Sequence, residues 1–313
     1  MAGRTIRTVA TRVEDRCGGV RVIELMDPEG WELPPFRPGA HIDLHLAKGL
    51  VRTYSLINPP EENDRYVIAV KREGAGRGGS AFAHERIAQG TEVGVSLPRG
   101  GVPVDDRPQV FFAGGIGVTP FVSAAAHLLR MGRRDFTLHL MTRGTPPLAE
   151  ELARLGAPEA VRIHDTQAAA RPDLAALIAE QPEGARLAFC GPAPMLAAFE
   201  AATAGRDPDT VHVERFIASP PMVNPKAKPY TLVLRKSGLS LEVGAGQTML
   251  DALLDHGVDV PWSCGGGICG ACRLRWLEGE PIHGDRVLRP DERKTELMAC
   301  TAQSASDELV VDL

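Results

Sequence analysis

The sequence predicts a multi-domain protein made of an antiparallel β-barrel domain, an α/β parallel-sheet domain and a small α+β domain. Its 313 residues are more than one hydrophobic core usually organises. Short strand-like segments come first, apolar strands that alternate with helices follow, and a proline-rich segment at 219–229 precedes the last part of the chain. We therefore expect domains at residues 1–102, 103–218 and 230–313, with 219–229 as a linker.

The overall composition narrows the classes of function. With 43% hydrophobic and 24% charged residues and a net charge of -5, the chain is compositionally globular, and a nucleic-acid or anionic-membrane surface is disfavoured. The first residues lack the apolar core of a signal peptide, and no stretch approaches the ~20 apolar residues that span a bilayer. We expect a cytoplasmic monomer, whose clustered cysteines bind metal or do redox chemistry because the cytoplasm disfavours disulfides.

The first domain is predicted to be an antiparallel sheet or barrel. Segments such as 40–46 and 66–71 alternate apolar and polar residues, and glycine, proline, asparagine and aspartate turns separate them. The turn-rich segment 98–101 suggests where this pattern ends.

Two motifs of this first domain combine the groups that a flavin mononucleotide needs. The strand-like run Arg52-Thr53-Tyr54-Ser55-Leu56 offers a cation for the phosphate, an aromatic ring for the isoalloxazine and a hydroxyl for the ring edge near N5. Residues 76–80, Gly-Arg-Gly-Gly-Ser, form a turn before a helix, where exposed amides could hold phosphate. Taken singly, each motif is equally compatible with an ordinary surface strand or a glycine turn.

The second domain is predicted to contain a parallel sheet, because apolar runs alternate with helix-like segments. The runs are 110–113, 136–141 and 187–190, and the helices are 121–130, 174–180 and 195–204.

Two loops at the ends of these strands are suited to a dinucleotide. Residues 114–120, Gly-Gly-Ile-Gly-Val-Thr-Pro, follow a strand and open a helix, so that amides and a positive helix end could bind a pyrophosphate. Residues 190–195, Cys-Gly-Pro-Ala-Pro-Met, also follow a strand, where small residues would let a nicotinamide approach. A bare glycine turn and a buried small cysteine are the alternatives.

The third domain is predicted to begin with two strands, 230–236 and 239–243. A short helix that Thr248 caps and Gly257 ends follows, and then a cysteine loop.

Four cysteines carry the strongest signal in the chain. Cys264, Cys269, Cys272 and Cys300 have the spacing C-x4-C-x2-C with one distal cysteine, which is typical of a plant-type [2Fe-2S] cluster. Neighbouring glycines leave room around the sulfides and free amides for hydrogen bonds to sulfur. A zinc site is the alternative, but zinc usually takes two C-x2-C pairs and only one is present.

Together these motifs resemble the phthalate dioxygenase reductase branch of the ferredoxin reductase superfamily, over the whole length of the chain. The resemblance implies an FMN-binding barrel, an NADH-binding α/β domain and a β-grasp ferredoxin domain. It implies that the FMN phosphate meets Arg52, Gly79 and Ser80, and that the flavin-binding residues also include Thr53, Tyr54, Ser55, Ala69, Lys71 and Gly78.

The same resemblance assigns residues to NADH. Gly115, Gly117 and Thr119 would hold the pyrophosphate and lie near the nicotinamide, and Arg143 would lie near the adenosine. The residues expected on the nicotinamide side are Cys190, Gly191, Pro192, Met195 and Phe216, of which Phe216 would cover the flavin until nicotinamide displaces it. Ser55, Thr119, Cys190 and Phe216 are thus the candidate catalytic residues. NADH is expected over NADPH.

The implied function is a reductase that passes electrons from NADH through FMN and the [2Fe-2S] cluster to a Rieske-type oxygenase, which hydroxylates or demethylates aromatic compounds. Hydride delivers two electrons and the cluster carries one, so a flavin is needed between them. Two alternatives stay open: an FAD-containing reductase of another monooxygenase system, which commonly carries its ferredoxin domain first, and a non-catalytic redox sensor.

Overall fold

The computed structural model describes residues 5–47, 50–74, 78–215, 228–262, 265–268 and 270–313. The chain forms two compact units. The first holds Gly3–Leu46 and Arg52–Phe216, and the second holds Ile217–Leu313 with Ala47–Val51. Two of the three expected domains therefore share the first unit, and the boundaries at 102, 218 and 229 stay predictions.

The first sheet of this unit has six strands in the order β4-β3-β6-β1-β2-β5. The pairs β1–β2, β1–β6, β2–β5 and β3–β6 are antiparallel, as expected. A bridge between Leu56 and Ile68 joins the ends of the order, so the sheet closes into a barrel. The elements are β1 (Ile6–Arg16), β2 (Val20–Met26), β3 (His41–Ala47), β4 (Leu50–Ser55), β5 (Arg65–Lys71), α1 (Gly79–Arg86) and β6 (Glu92–Val95).

The barrel interior follows from strand alternation. In β2, Ile23 and Leu25 are fully buried, while Glu24 between them is partly exposed. Tyr66 of β5 is buried too, and its hydroxyl donates to the Pro34 carbonyl at 2.6 Å. Buried polar groups cost free energy unless they are paired, so this bond allows a large aromatic ring in the core.

The second sheet is fully parallel, with the order β11-β10-β7-β8-β9. Since β7 and β10 are parallel neighbours, the loops that leave their carboxyl ends meet at one edge of the sheet. The elements are β7 (Gln109–Gly114), α2 (Thr119–Arg130), β8 (Phe136–Thr142), α3 (Ala149–Arg154), β9 (Val161–Asp165), α4 (Leu174–Ala179), β10 (Arg186–Cys190), α5 (Ala193–Thr203) and β11 (Val211–Glu214).

Strand β7 separates two apolar cores. Val110 and Phe112 belong to a core with α4 and α5, whereas Phe111 and Ala113 face α2, as period-two alternation requires. The Phe111 and Phe121 rings stack with centroids 5.0 Å apart. This second core continues into the barrel through four buried residues, which are Val20, Ile57, Ala69 and Val102. The barrel thus has an interior core of its own, with Ile23, Leu25 and Tyr66, and joins the parallel sheet through a second core between them.

The second unit contains a mixed sheet in the order β13-β12-β18-β14-β16, packed with a helix as in a β-grasp fold. The side chain of Thr248 accepts from the Asp251 amide at 3.0 Å and so caps that helix, as predicted. The elements are β12 (Tyr230–Leu234), β13 (Leu239–Val243), α6 (Met249–Asp255), β14 (Arg273–Glu278), β15 (Pro281–Ile282), β16 (Glu296–Met298), β17 (Gln303–Ser304) and β18 (Glu308–Val311). Within the described ranges, no helix has the length and apolar character needed to cross a membrane.

A buried histidine makes the parallel sheet sensitive to acid. His139 of β8 stacks on Phe112 with centroids 5.0 Å apart, and its Nδ1 lies 3.1 Å from His164 Nε2. Burial, with His164 and Arg162 as smaller causes, lowers the pKa of His139 to about 4. Below about pH 6.5, the imidazole of this histidine therefore binds a proton in the unfolded chain but stays neutral in the folded chain.

We predict that this histidine lowers the free energy of unfolding as the pH falls. It has no effect above about pH 6.5, and at about pH 5 it lowers the free energy of unfolding by about 2 kcal/mol. Denaturant unfolding at both pH values, followed by circular dichroism, measures the effect. His139→Phe keeps an aromatic ring but cannot titrate, so its stability should fall less between the two pH values; an identical fall in both proteins would contradict the prediction.

Candidate functional site

An anion-binding corner lies where β4 passes the start of α1. A Cβ placed on Gly79 would lie 2.3 Å from Cγ and 2.7 Å from Nε of Arg52, so the arginine side chain lies directly on this glycine. Gly78, just before the helix, has a φ of 78°. A guanidinium and the positive end of a helix thus converge, which suits a phosphate. Gly76 and Arg77 of the predicted motif lie outside the described residues.

Ser80 follows Gly79 in the first turn of α1. Its hydroxyl oxygen accepts a hydrogen bond from the Glu73 amide at 3.1 Å. This bond ties the chain before the helix to the helix start, and the hydroxyl proton can still be donated.

A buried hydroxyl lies at the end of β4. Ser55 is 4% exposed, and its Oγ has no hydrogen-bond partner among the described residues. Buried polar groups are nearly always paired in native proteins, so an unpaired one suggests that a ligand supplies the partner. The neighbouring Tyr54 is largely buried, and burial raises its pKa to about 12, so its phenol stays neutral.

The other predicted flavin-binding residues on β4 and β5 differ in their contacts and burial. The Thr53 hydroxyl donates to Asp43 Oδ1 at 2.6 Å, and Arg99 Nη2 donates to the same oxygen at 2.6 Å. Ala69 on β5 is buried in the core shared with the parallel sheet, whereas Lys71 at the strand end is exposed. The Thr53 hydroxyl thus joins β4 to Asp43 on β3.

The two loops of the parallel sheet contact each other through their backbones. A Cβ on Gly117 would lie 2.4 Å from the Cys190 carbonyl oxygen, and one on Gly114 would lie 2.5 Å from Pro192 Cδ. A Cβ on Gly191 would lie 3.1 Å from the Gly114 amide nitrogen. Side chains are excluded here, which brings the two glycine loops close enough to receive one extended ligand.

Gly115 has a different role. Its φ is 55°, and no atom of the described residues lies within 4 Å of a Cβ there, so this position needs glycine for its backbone conformation. It begins a 3-10 turn that leads into α2, where the Thr119 hydroxyl donates to the Ile116 carbonyl at 3.1 Å.

Cys190 and Met195 occupy the facing loop. Cys190 is 0% exposed, and burial, with the Glu214 carboxylate as a second cause, raises the pKa of its thiol well above the usual value. A thiol that stays protonated is a poor nucleophile. The sulfur of Met195 lies 3.1 Å from where a Cβ of Gly114 would be.

Arg143 follows β8 and is exposed. The turn after it is fixed by Asp165, whose Oδ1 accepts from the Gly144 amide at 2.8 Å and from the Gln167 amide at 2.9 Å. These bonds lower the pKa of Asp165, so an ionised carboxylate holds the turn that follows Arg143. Phe216, predicted to lie after β11, is outside the described residues.

The cysteine region lies in the second unit. Cys272 and Cys300 are both buried, and the Cys300 amide donates to Cys272 Sγ at 3.5 Å. The Gly267 amide donates to Cys300 Sγ at 3.1 Å. Cys264 and Cys269 lie outside the described residues. Amide donors aimed at thiolate sulfurs fit an iron-sulfur cluster, because they stabilise its negative charge.

Sequence reasoning missed a buried carboxylate beside this loop. A Cβ on Gly267 would lie 2.9 Å from Asp285 Cα, so the segment around Asp285 holds the glycine in place. The Asp285 carboxylate accepts from the Leu288 amide at 2.8 Å, and Arg293 donates to the Asp285 carbonyl at 2.7 Å. The available signal was an aspartate three residues before an apolar leucine, which is typical of a capped turn.

Comparisons with known proteins identify relatives along the whole chain. Residues 232–304 match the family described as the 2Fe-2S iron-sulfur cluster binding domain. The chain is 41% identical over 324 aligned positions to the phenoxybenzoate dioxygenase subunit beta of Ectopseudomonas oleovorans, covering 100% of this chain and 99% of that protein. It is 39% identical over 299 positions to the phthalate dioxygenase reductase of Burkholderia cepacia, covering 93% and 92%.

A solved structure is similar over the same length. It is phthalate dioxygenase reductase, described as a modular structure for electron transfer from pyridine nucleotides to [2Fe-2S]. The TM-score is 0.76 at 37% sequence identity, and the match covers 99% of this chain and 98% of that one.

We predict that Gly117→Ala separates the two glycine loops. Because the new Cβ would meet the Cys190 carbonyl, the backbone must shift, at a cost of about 1 to 3 kcal/mol in the free energy of unfolding. Dinucleotide affinity should fall as well. Gly184→Ala in the same sheet domain is the control, since nothing lies within 4 Å of its Cβ position. Denaturant unfolding and NADH titration measure both effects, and equal results for the two variants would refute the prediction.

Proposed function

The chain belongs to the phthalate dioxygenase reductase family, and we propose that it passes electrons from NADH through FMN and a plant-type [2Fe-2S] cluster to a Rieske-type oxygenase. One observation carries the proposal. Within the first unit, the Ser55 hydroxyl, which has no partner among the described residues, and the corner at Arg52 and Gly79 lie on a barrel that packs against the sheet carrying both glycine loops. The residues proposed for the flavin and those proposed for the dinucleotide thus belong to one compact unit.

FMN is the flavin that fits the corner. Arg52, the amides at Gly78 and Gly79, and Ser80 would bind its terminal phosphate. Tyr54 and Ser55 on β4, with Ala69 and Lys71 on β5, would contact the ring, and Thr53 would orient β4 through Asp43. When bound, FMN accepts two electrons as a hydride and releases them singly, and the cluster carries one electron at a time.

The paired glycine loops would bind NADH. Gly115 and Gly117 would hold the pyrophosphate, and Thr119 would contact the nicotinamide end. On the facing loop, Gly191, Pro192 and Met195 would line the nicotinamide pocket. Phe216 would cover the flavin before nicotinamide arrives.

The adenosine end would lie near Arg143. The Asp165 carboxylate, which accepts from the amide of the residue after Arg143, would repel a 2'-phosphate bound in this region, which favours NADH over NADPH. Arg143 would then contact the adenosine of NADH, which carries no 2'-phosphate.

The hydride step needs positioning and no proton transfer from a side chain. The buried Cys190 thiol remains neutral and would pack against the nicotinamide without attacking it. The Ser55 hydroxyl, which has no partner among the described residues, would donate a hydrogen bond near the hydride acceptor. The loops around Gly117 exclude side chains, and thereby bring the donor and the acceptor together.

Single electrons would leave through the cluster. Cys264, Cys269, Cys272 and Cys300 are proposed as its ligands, and the Gly267 amide would stabilise the charge on Cys300. A Rieske centre has a higher potential than a plant-type cluster, so transfer to such an oxygenase would be downhill. Domain boundaries at 102, 218 and 229, a monomeric state and a cytoplasmic location belong to the same proposal.

We predict that Ser55→Ala slows flavin reduction without destabilising the fold. Since the hydroxyl has no described protein partner, its loss should leave the unfolding of flavin-free protein unchanged. Stopped-flow reduction by NADH should slow roughly 10- to 100-fold.

Thr8→Val provides the matched control in the same barrel. The Thr8 hydroxyl is buried but donates to the Val93 carbonyl at 2.8 Å, so its removal should cost about 1 kcal/mol and leave the reduction rate unchanged. A Ser55→Ala protein that loses stability yet reduces its flavin at the normal rate would reverse the assignment.

We predict that Cys300→Ser separates electron entry from electron exit. NADH should still bleach the flavin, whereas electron delivery to an oxygenase component should stop because the cluster is lost. Cys17→Ser changes an exposed cysteine outside the motif and should keep both activities. Stopped-flow absorbance and NADH-dependent oxygenase turnover measure the two steps. Delivery that persists in Cys300→Ser would exclude the proposed route.

A further inference from the structure

The hydroxyl of Ser123 links α2 to the barrel. Ser123 lies on α2 one helical turn after Thr119, so the two side chains point to the same face of the helix. Ser123 is 0% exposed. Its Oγ accepts from the Gly39 amide at 3.0 Å and donates to the Asn58 carbonyl at 2.7 Å. Both partners belong to the barrel side, so the hydroxyl bridges two structural layers.

Both partners are connected to β4, the strand that carries the proposed flavin-binding residues. Asn58 comes three residues after Ser55, and its side chain donates to the carbonyls of Glu62 and Arg65 and accepts from the Val67 amide, each at 2.9 Å. Gly39 precedes Ala40, whose carbonyl accepts from the Leu56 amide at 2.7 Å. The bonds of Ser123 therefore end on rigid backbone on both sides of the end of β4.

The approach at this point is too close for any side chain on the barrel. Gly39 has a φ of 65°, and a Cβ there would lie 2.7 Å from the Pro120 carbonyl oxygen. The first turn of α2 thus rests directly on the barrel backbone. A hydrogen bond at such a place fixes direction as well as distance, whereas the surrounding apolar core is non-directional.

Other polar links between these elements lie nearer to solvent. Glu61 and Glu62 pair with His127 and Arg130 on the same helix, and their side chains are 22% to 46% exposed. Exposed ion pairs hold geometry weakly because water and salt screen them. The buried Ser123 bridge is better suited to set the register.

We infer that Ser123 is a positioning residue, whose two hydrogen bonds fix the start of α2 and Thr119 relative to the end of β4 and Ser55, and so set the approach of nicotinamide to flavin. The inference rests on the proposed function. Ser123 would contact neither NADH nor FMN. A shift of about 1 Å in such an alignment can slow a reaction by roughly 100-fold.

The test compares Ser123→Ala with the wild type in the FMN-loaded protein. Stopped-flow flavin reduction by saturating NADH should slow roughly 10- to 100-fold. At equilibrium, the charge-transfer absorbance of NAD+ on reduced flavin should weaken, because this band depends on how the rings overlap. FMN content and reduction by dithionite should not change. Ser123→Thr keeps the hydroxyl and should restore the rate and the charge-transfer band.

Thr203→Val is the matched control. Among the described residues its buried hydroxyl bonds within α5, to the Phe199 carbonyl at 2.8 Å and the Glu200 carbonyl at 3.4 Å, so its loss should leave both readouts unchanged. If Ser123→Ala matches the wild type, or if Thr203→Val slows reduction equally, the positioning role is overturned.

Two further outcomes are decisive. If Ser123→Ala does not fold, Ser123→Cys replaces the hydroxyl with a weakly bonding thiol, and a wild-type reduction rate in that variant overturns the inference. If wild-type protein binds FMN but NADH never reduces it, the proposed function itself fails, and the positioning role fails with it.

Discussion

One apolar core runs from the barrel into the parallel sheet, and the geometry of the first unit depends on it. Val20, Ile57 and Ala69 from the barrel side pack in the same cluster as Phe111 and Phe121. The barrel also has an interior core of its own, but the close-packed contact with the sheet resists movement of one layer against the other. The strand that ends at Ser55 and the helix that begins at Thr119 are therefore held together before any ligand binds.

Glycines allow the close contacts that shape the proposed binding sites. At Gly79 the missing side chain lets Arg52 lie over a helix start, and at Gly117 it lets two loops touch through their backbones. At Gly267 it aligns an amide with the Cys300 sulfur. In each case a Cβ would collide with protein atoms: with Arg52 at Gly79, with the Cys190 carbonyl at Gly117 and with Asp285 at Gly267. The absence of a side chain thus allows the close contact that shapes each proposed site.

Local patterns revealed most of the motifs, because ligand chemistry and turn geometry are written in short runs of sequence. The alternating apolar segments predicted β7, β8 and β10, and the capping residue Thr248 predicted the start of α6. The shared core was not predictable, since residues as distant as Val20 and Phe121 meet only in the folded chain.

The same limit hid the supporting residues. Asp43, Ser123 and Asp285 each act through partners that include residues distant in sequence or through turn amides, and none stands in a ligand motif. The anion corner and the glycine loops could be inferred from residue type and spacing. The roles of Phe216, Cys264 and Cys269 stay predictions, because these residues lie outside the described part of the chain.

An anaerobic titration with NADH tests the central claim most directly. If NADH electrons pass through FMN to the cluster, about 1.5 equivalents should reduce one chain fully, because FMN takes two electrons and the cluster one. The flavin absorbance should bleach and the electron paramagnetic resonance signal of a reduced [2Fe-2S] cluster should appear, while protein stripped of FMN should show no cluster signal. A cluster that NADH reduces equally well without FMN, or never reduces in the intact protein, would contradict the account.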